Sequence, residues 1–414
     1  MQLNNLHSDK YNLVGEENYV PHFQPIVSTL NQKIYGYEVL GRLYQPETND
    51  FKSLGAYFHN SQINVSEKVQ IDRVIREKAI KYLKSAGTNT RLFFNLMPNI
   101  LSTVHQEELL SPGRFHLIQL IEKYGINEKN IVIEITEDEF NGKIERLLTM
   151  VEIFRNYGLK IAIDDVGAGL SNLERIGYIH PDIIKIDIKI MRESLSNKSF
   201  RHILSAIAEM SLKLGSELLF EGVETEKELT LALSMGATLI QGFFFSQADK
   251  EFQNRAHYST RLIEIMEKYS GMRFMEYLED FHKKQKILDE LSIIFSQIEN
   301  NIETNNVEFN NLLLHNLDSF PNTIYKILLV DIHGYQVTSS YERNTLGDWV
   351  ENESEKNNNY AWKLFFVDHK ANSFFFQKKW GVSKPNFDIA KQREYVIFTF
   401  NISDKVLVAM VEWN

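Results

Sequence analysis

Between residues 92 and 245, short apolar runs alternate with segments of helical spacing, and no other feature of the chain restricts its fold as tightly. Apolar runs fall at 92–96, 131–136, 160–166, 183–187, 217–224 and 238–245. Helical patterns lie among them at 111–124, 143–157, 199–214 and 226–235. Strands that alternate with helices pair in parallel through crossovers. Ahead of them, 22–28 and 34–44 flank the turn Asn31-Gln32-Lys33 as a hairpin, followed by a helical stretch at 67–85. Six strands and a hairpin make eight, which predicts an α/β fold, a TIM-like (β/α)8 barrel with one antiparallel strand. An open doubly wound sheet is the alternative, but the first unit does not open on GxGxxG.

The pattern changes near Glu251, and the expected division is a barrel at 1–250, a helical connector at 251–300 and a small α+β domain at 301–414. Leu262, Ile265, Met266 and Tyr269 set the helical spacing of the connector, and Gly271 is its weak point. The Asn-rich run 299–311 reads as a turn or hinge. Runs at 324–332, 361–367, 373–378, 395–402 and 406–412 read as strands of an antiparallel sheet. Its aromatic interior holds a ligand or only packs, and packing is the commoner outcome.

The totals exclude several chemistries. A chain of 414 residues with no cysteine has no disulfide framework, thiolate metal site or cysteine nucleophile. A net charge of −10 argues against duplex nucleic acid as a partner. The opening MQLNNLHSDKYNLVG has no signal-peptide core, and no apolar run reaches the ~18 residues of a membrane span. The expectation is a soluble, cytoplasmic protein without membrane insertion.

Barrel strands are buried on both faces, so polar residues inside them need a reason. They sit near the carboxyl ends: Asn95, Glu134, Asp164, Asp165, Lys185, Glu221, Glu224 and Gln241, with Glu38 in the hairpin. A single one reads as a cap or a turn residue, and Lys185 alone reads as a salt bridge to Asp187 or Asp182. Recurrence on six successive strands points to the catalytic rim of a barrel. Carboxylates and amides without histidine (His180 lies nearby in YIHPD) suit Mg²⁺, Mn²⁺ or Ca²⁺ rather than Zn²⁺. Adjacent aspartates suit a pair of ions acting on a phosphate ester.

The segments FQPIVS, YGYEVLGR, IDRVIRE, FFNL, EITE, IDDVGAGLSN, PDIIKID, EGVET and QGFFF, from about residue 19 to 247, resemble the EAL-domain family of bacterial cyclic-di-GMP phosphodiesterases. The resemblance implies metal ligands Glu38, Asn95, Glu134, Asp164 and Asp165, with Mg²⁺ or Mn²⁺ as cofactor and Ca²⁺ as an inhibitory occupant. It gives Lys185 and Glu221 the water-activating role. Gln24, Leu40, Arg42, Glu224 and Gln241 become substrate contacts, and Glu137 the anchor of the loop after Asp165. The implied reaction is hydrolysis of cyclic di-GMP to linear pGpG by a homodimer under control of the C-terminal domain. The chain reads EVL where the family has EAL, and DVGAGLSN departs from the family loop at Val166, Leu170 and Asn172. A slow or inactive cyclic-di-GMP receptor is therefore the alternative. The barrel, connector and PAS- or Cache-like sheet together resemble the YkuI-type two-domain branch, with an unidentified ligand or none in the sheet domain.

Overall fold

The computed structural model describes residues 15–96, 115–136, 144–167, 173–305, 309–388, 391 and 393–413. Two compact units divide at Ser270 and Gly271.

In the first unit β1 (Tyr19–Ser28) and β2 (Ile34–Gln45) form the hairpin, and β3 (Asp50–Ser53) adds to the outer side of β2. Next come β4 (Arg91–Leu96), β5 (Ile131–Thr136), β6 (Lys160–Val166), β7 (Ile183–Ile186), β8 (Glu217–Phe220) and β9 (Leu239–Gln241). The order β1-β9-β8-β7-β6-β5-β4-β2 closes through the β1–β2 pairing, and β1 is antiparallel to both of its neighbours. The eight-stranded barrel with one reversed strand is thus the fold that forms.

Its helices start and stop where local chemistry dictates. Helix Val65–Ala86 is capped by the Asn64 side chain and ends on Gly87 in the left-handed conformation. Helix Glu226–Ser234 opens on a capping box of Thr225 and Glu228. Two short helices, Leu173–Ile179 and Ile188–Ser194, went unread in the sequence because neither is long enough to display a period.

Apolar side chains fill the barrel in a ring. Ile26, Phe93, Val132, Ala162, Ile183, Leu219 and Leu239 supply one each from β1 and β4–β9, with Tyr35 of β2 packed against them. A larger cluster lies between the strands and the helices. The rim is sealed by backbone contact: Val223 N–H donates to Gln241 O at 3.0 Å, and Phe244 N–H to Val223 O at 2.9 Å. A Cβ on Gly242 would collide with the Val223 backbone. Gly242→Ala is therefore expected to lower the unfolding free energy by about 3 kcal/mol or more, as a urea melt would read it. An unchanged midpoint would mean that this rim is not packed as described.

Helix Ser259–Asn305 runs unbroken through Gly271 and takes in the first part of the Asn-rich run, so 299–305 is helix rather than turn. In the second unit seven antiparallel strands are ordered β12-β11-β10-β16-β15-β13, with β14 also on β15. They are β10 (Ile324–Asp331), β11 (Ser340–Arg343), β12 (Trp349–Asn352), β13 (Trp380–Val382), β14 (Asn386–Asp388), β15 (Arg393–Ile402) and β16 (Lys405–Glu412). Ile327 and Leu329 face Leu291, Phe295 and Ile298 of the long helix. Leu328 and Val330 face the other way, onto Phe366.

One expectation is overturned here: 361–367 and 373–378 are not strands, because Leu364–Phe376 is a helix. Phe366 and His369, three residues apart, are its buried positions, and that spacing belongs to a helix lying on the sheet. The β preference of the phenylalanines yields to this packing.

Candidate active site

Side chains two apart on a strand share a face. Two residues after each ring member therefore stands another inward position, one layer nearer the carboxyl rim. From Phe93, Val132, Ala162, Ile183, Leu219 and Leu239 that step reaches Asn95, Glu134, Asp164, Lys185, Glu221 and Gln241. On the reversed β1 the step runs backwards, from Ile26 to Gln24, which pairs in register with Glu38 of β2. The strand period thus places an apolar floor beneath a polar ceiling.

The ceiling is tightly connected. Lys185 Nζ lies 2.7 Å from Glu134 Oε1 and 3.1 Å from Asp164 Oδ1, and contacts Glu221 Oε1 as well. Glu38 accepts from Asn95 Nδ2 at 2.9 Å and from Gln241 Nε2 at 2.6 Å, and Gln241 Nε2 also reaches Gln24 Oε1 at 3.3 Å. Lys185 is 1 % exposed and Glu134 is fully buried. Asp164 and Asp165 occupy a break in the β6–β7 register. Asp165 takes a positive φ of 57°, uncommon for a non-glycine, and its N–H donates to Asp164 Oδ1 at 2.9 Å.

Five carboxylates thus crowd this rim, three of them on Lys185, and the titration of the group reflects the imbalance. Burial, with Glu38 and Asp164 nearby, raises the Glu134 carboxyl well above its usual range despite Lys185. Burial and Asp164 do the same to Glu221. Burial, Asp164 and Asp187 push Asp165 up to about 6. Burial works to lower Lys185, but Asp164, Glu134, Glu221 and Glu38 hold it well above its normal value. A cluster that pulls protons onto buried acids is short of positive charge.

Divalent cations fit that shortage. Asp164, Asp165 and Glu221 each offer an oxygen within 4.8 Å of the others. Glu134 Oε2 and Gln241 Oε1 are buried without a hydrogen-bond partner. The donors are all oxygen, the set that hard divalent ions take.

Beside this cluster a cleft of about 310 Å³ is lined by Glu38, Leu40, Arg42, Asn95, Asp164 and Asp165 among others. Burial lowers the Arg42 pKa from its usual value, against the pull of Glu38. One sequence candidate pairs elsewhere, and the nearby histidine does not join the cluster. Glu224 is paired to Arg192 at 2.9 Å. His180 is exposed and precedes β7, whereas Lys185 sits near that strand's other end. Glu137, Leu170 and Asn172 lie outside the described residues.

Sequence reasoning missed Arg76 and Asp72, which line the same cleft. Arg76 Nη2 donates to the Asn95 backbone oxygen at 2.8 Å and so steadies that strand end. The available signal was a buried arginine on the apolar face of helix Val65–Ala86.

The pattern described as EAL domain matches residues 11–248. The chain is 29 % identical to the uncharacterized EAL-domain containing protein YkuI of Bacillus subtilis (strain 168), over 86 % of this chain and 85 % of that one. The solved YkuI structure, in complex with substrate c-di-GMP and calcium, superposes with a TM-score of 0.87 at 25 % identity, covering 97 % and 98 % of the two chains. The probable cyclic di-GMP phosphodiesterase PdeA of Escherichia coli (strain K12) is 28 % identical over 45 % of this chain, which spans only 25 % of PdeA.

Proposed function

Because the chain belongs to the EAL-domain family, we propose that its barrel hydrolyses cyclic di-GMP to linear pGpG with the help of divalent cations. The observation that carries this reading is the cluster of Glu134, Asp164 and Glu221 about Lys185 at one rim, with Glu38 lining the open cleft beside it.

Glu38, Asn95, Glu134, Asp164 and Asp165 would hold the cations, as Mg²⁺ or Mn²⁺, with Ca²⁺ an inhibitory occupant. Bound there, the ions supply neutralisation of the phosphodiester and acidification of a water. Glu221, held by Lys185, accepts the proton of the attacking water. Lys185 orients that water and holds Glu221 and Asp164 in place. Water oxygen bonds to phosphorus, one P–O3′ bond breaks, and the freed 3′-oxygen takes up a proton. Gln24, Leu40 and Arg42 grip the nucleotide from β1 and β2, and Gln241 fixes Glu38. Glu224, paired to Arg192, would contribute to the substrate side.

The test is direct: purified protein with Mg²⁺ or Mn²⁺ and cyclic di-GMP, followed by chromatography. pGpG is expected, and chelation should abolish it. Metal-dependent binding without product would sink the enzyme and leave a receptor.

Residues 301–414 act as a PAS-like regulatory domain after a helical connector at 251–300. Their sheet places β10 centrally between β11 and β16, which supports that reading. The same assay on Phe398→Ala, altered in the core of that unit, reads regulation. An unchanged rate would free the active site from its control.

The protein works as a cytoplasmic homodimer. Phe274, Tyr277 and Phe281 leave an exposed apolar stripe of helical spacing on Ser259–Asn305, and a second copy would cover it. Light scattering should give twice the 48.3 kDa chain mass, and a monomer at all concentrations would remove this part.

A further inference from the structure

Helix Leu364–Phe376 is apolar on both sides. Its inner face buries Phe366 and His369 against the sheet. Its outer face carries Leu364, Val367 and Phe374, at helical spacing, and Phe375, with exposures of 69, 48, 81 and 75 %. Trp362 just ahead is 72 % exposed, and Phe376 at the end is 70 % exposed. An apolar stripe on the side of a helix away from its core is normally covered. This helix is enclosed on one side only.

The charges of this segment are mainly basic. Residues 361–385 hold five lysines and a single acid, Asp368, a local balance of +4 in a chain of −10. Lys363 stands 4.2 Å from the Trp362 ring and Lys378 5.2 Å from that of Trp380. Lys370 donates to the Ile332 oxygen, and Lys379 pairs with Glu299 at 3.4 Å. Exposed aromatic and aliphatic side chains bordered by lysines are the composition of a segment that lies in a lipid headgroup layer.

We propose that this face docks on an anionic membrane surface, with Trp362, Leu364, Phe374 and Phe375 dipping among the headgroups and Lys363, Lys370 and Lys378 meeting the phosphates. No helix among the described residues is long and apolar enough to cross a membrane, so the contact is peripheral. Charge complementarity selects the lipid. A second copy would set lysine against lysine across a self-complementary contact. Single-stranded nucleic acid binds by stacking bases on aromatic rings, and Leu364 and Val367 offer none.

The full chain is sedimented with sucrose-loaded vesicles of phosphatidylcholine, with or without about one-third phosphatidylserine. Binding to the anionic vesicles is expected to exceed binding to neutral ones by at least about tenfold and to weaken in high salt. Phe374→Ser with Phe375→Ser, and separately Lys363→Glu with Lys370→Glu and Lys378→Glu, should each cost about tenfold or more, with pGpG formation in solution unchanged. Equal binding to both vesicles, or wild-type binding by both variants, overturns the proposal. So does a dimer dispersed by the phenylalanine variant, or tight binding of a uridine oligonucleotide lost in the lysine variant, if lipid binding is absent.

Discussion

Replacing Lys185 with methionine is expected to abolish pGpG formation and to lower the stability of the metal-free protein by about 3–5 kcal/mol. Methionine keeps the length and flexibility of the stem but leaves Glu134, Asp164 and Glu221 without their common cation. Those acids then ionise only against one another, and in the interior they respond by taking up protons. Glu134 and Glu221 already have raised carboxyl pKa values in the folded chain, so the folded state binds protons more readily than the unfolded one. Stability linked to them is greatest at low pH and is lost as pH rises above the unfolded value of about 4.3 and through the raised folded values. Without Lys185 that loss grows. Urea melts with chelator at pH 5 and pH 8 should show the variant nearest the parent at the lower pH. A variant as stable as the parent at pH 8 would mean that Lys185 does not neutralise the cluster.

Glu221→Gln separates chemistry from binding. The amide keeps the shape and can still accept from Lys185, but it cannot take a proton from water. kcat is expected to fall by about 10²–10⁴, with affinity for cyclic di-GMP within a few-fold of the parent. The same change removes one charge from a group crowded with like charge, so the metal-free variant should melt above the parent. Stability gained where activity is lost would mark Glu221 as a group held for its chemistry. Turnover within fivefold of the parent would move the base elsewhere.

The barrel was legible because two periods agree over its whole length. Helical segments of 3.6-residue spacing separate strands that are otherwise apolar, and the exceptions in those strands make up the candidate site. Asn95, Glu134, Asp164, Lys185, Glu221 and Gln241 each stand two residues past an inward apolar neighbour, which is a relation visible in the letters. Arg76 was harder to read, since its place on an apolar helix face was the sign of it, and its bond to the Asn95 oxygen joins residues on different elements. The positive φ of Asp165 was equally hidden, because no residue type demands it there. In the second unit the strands at 324–331 and 405–412 were plain, whereas the aromatic run at 364–376 misled. Phenylalanine favours strands in isolation, and the choice of helix came from a sheet face built by residues far along the chain.

The reversed first strand has a consequence of its own. β9 is only three residues long and meets β1 at Ile26, Val27 and Ser28, so a short ladder joins the last strand to the reversed one. Gln241, the end of that strand, grasps Glu38 on the far side of the seam. A cation held at Glu38, as proposed, would therefore clasp this seam as well as serve the chemistry. Occupancy would then slow hydrogen exchange along β9 and β1, and product departure would restore it.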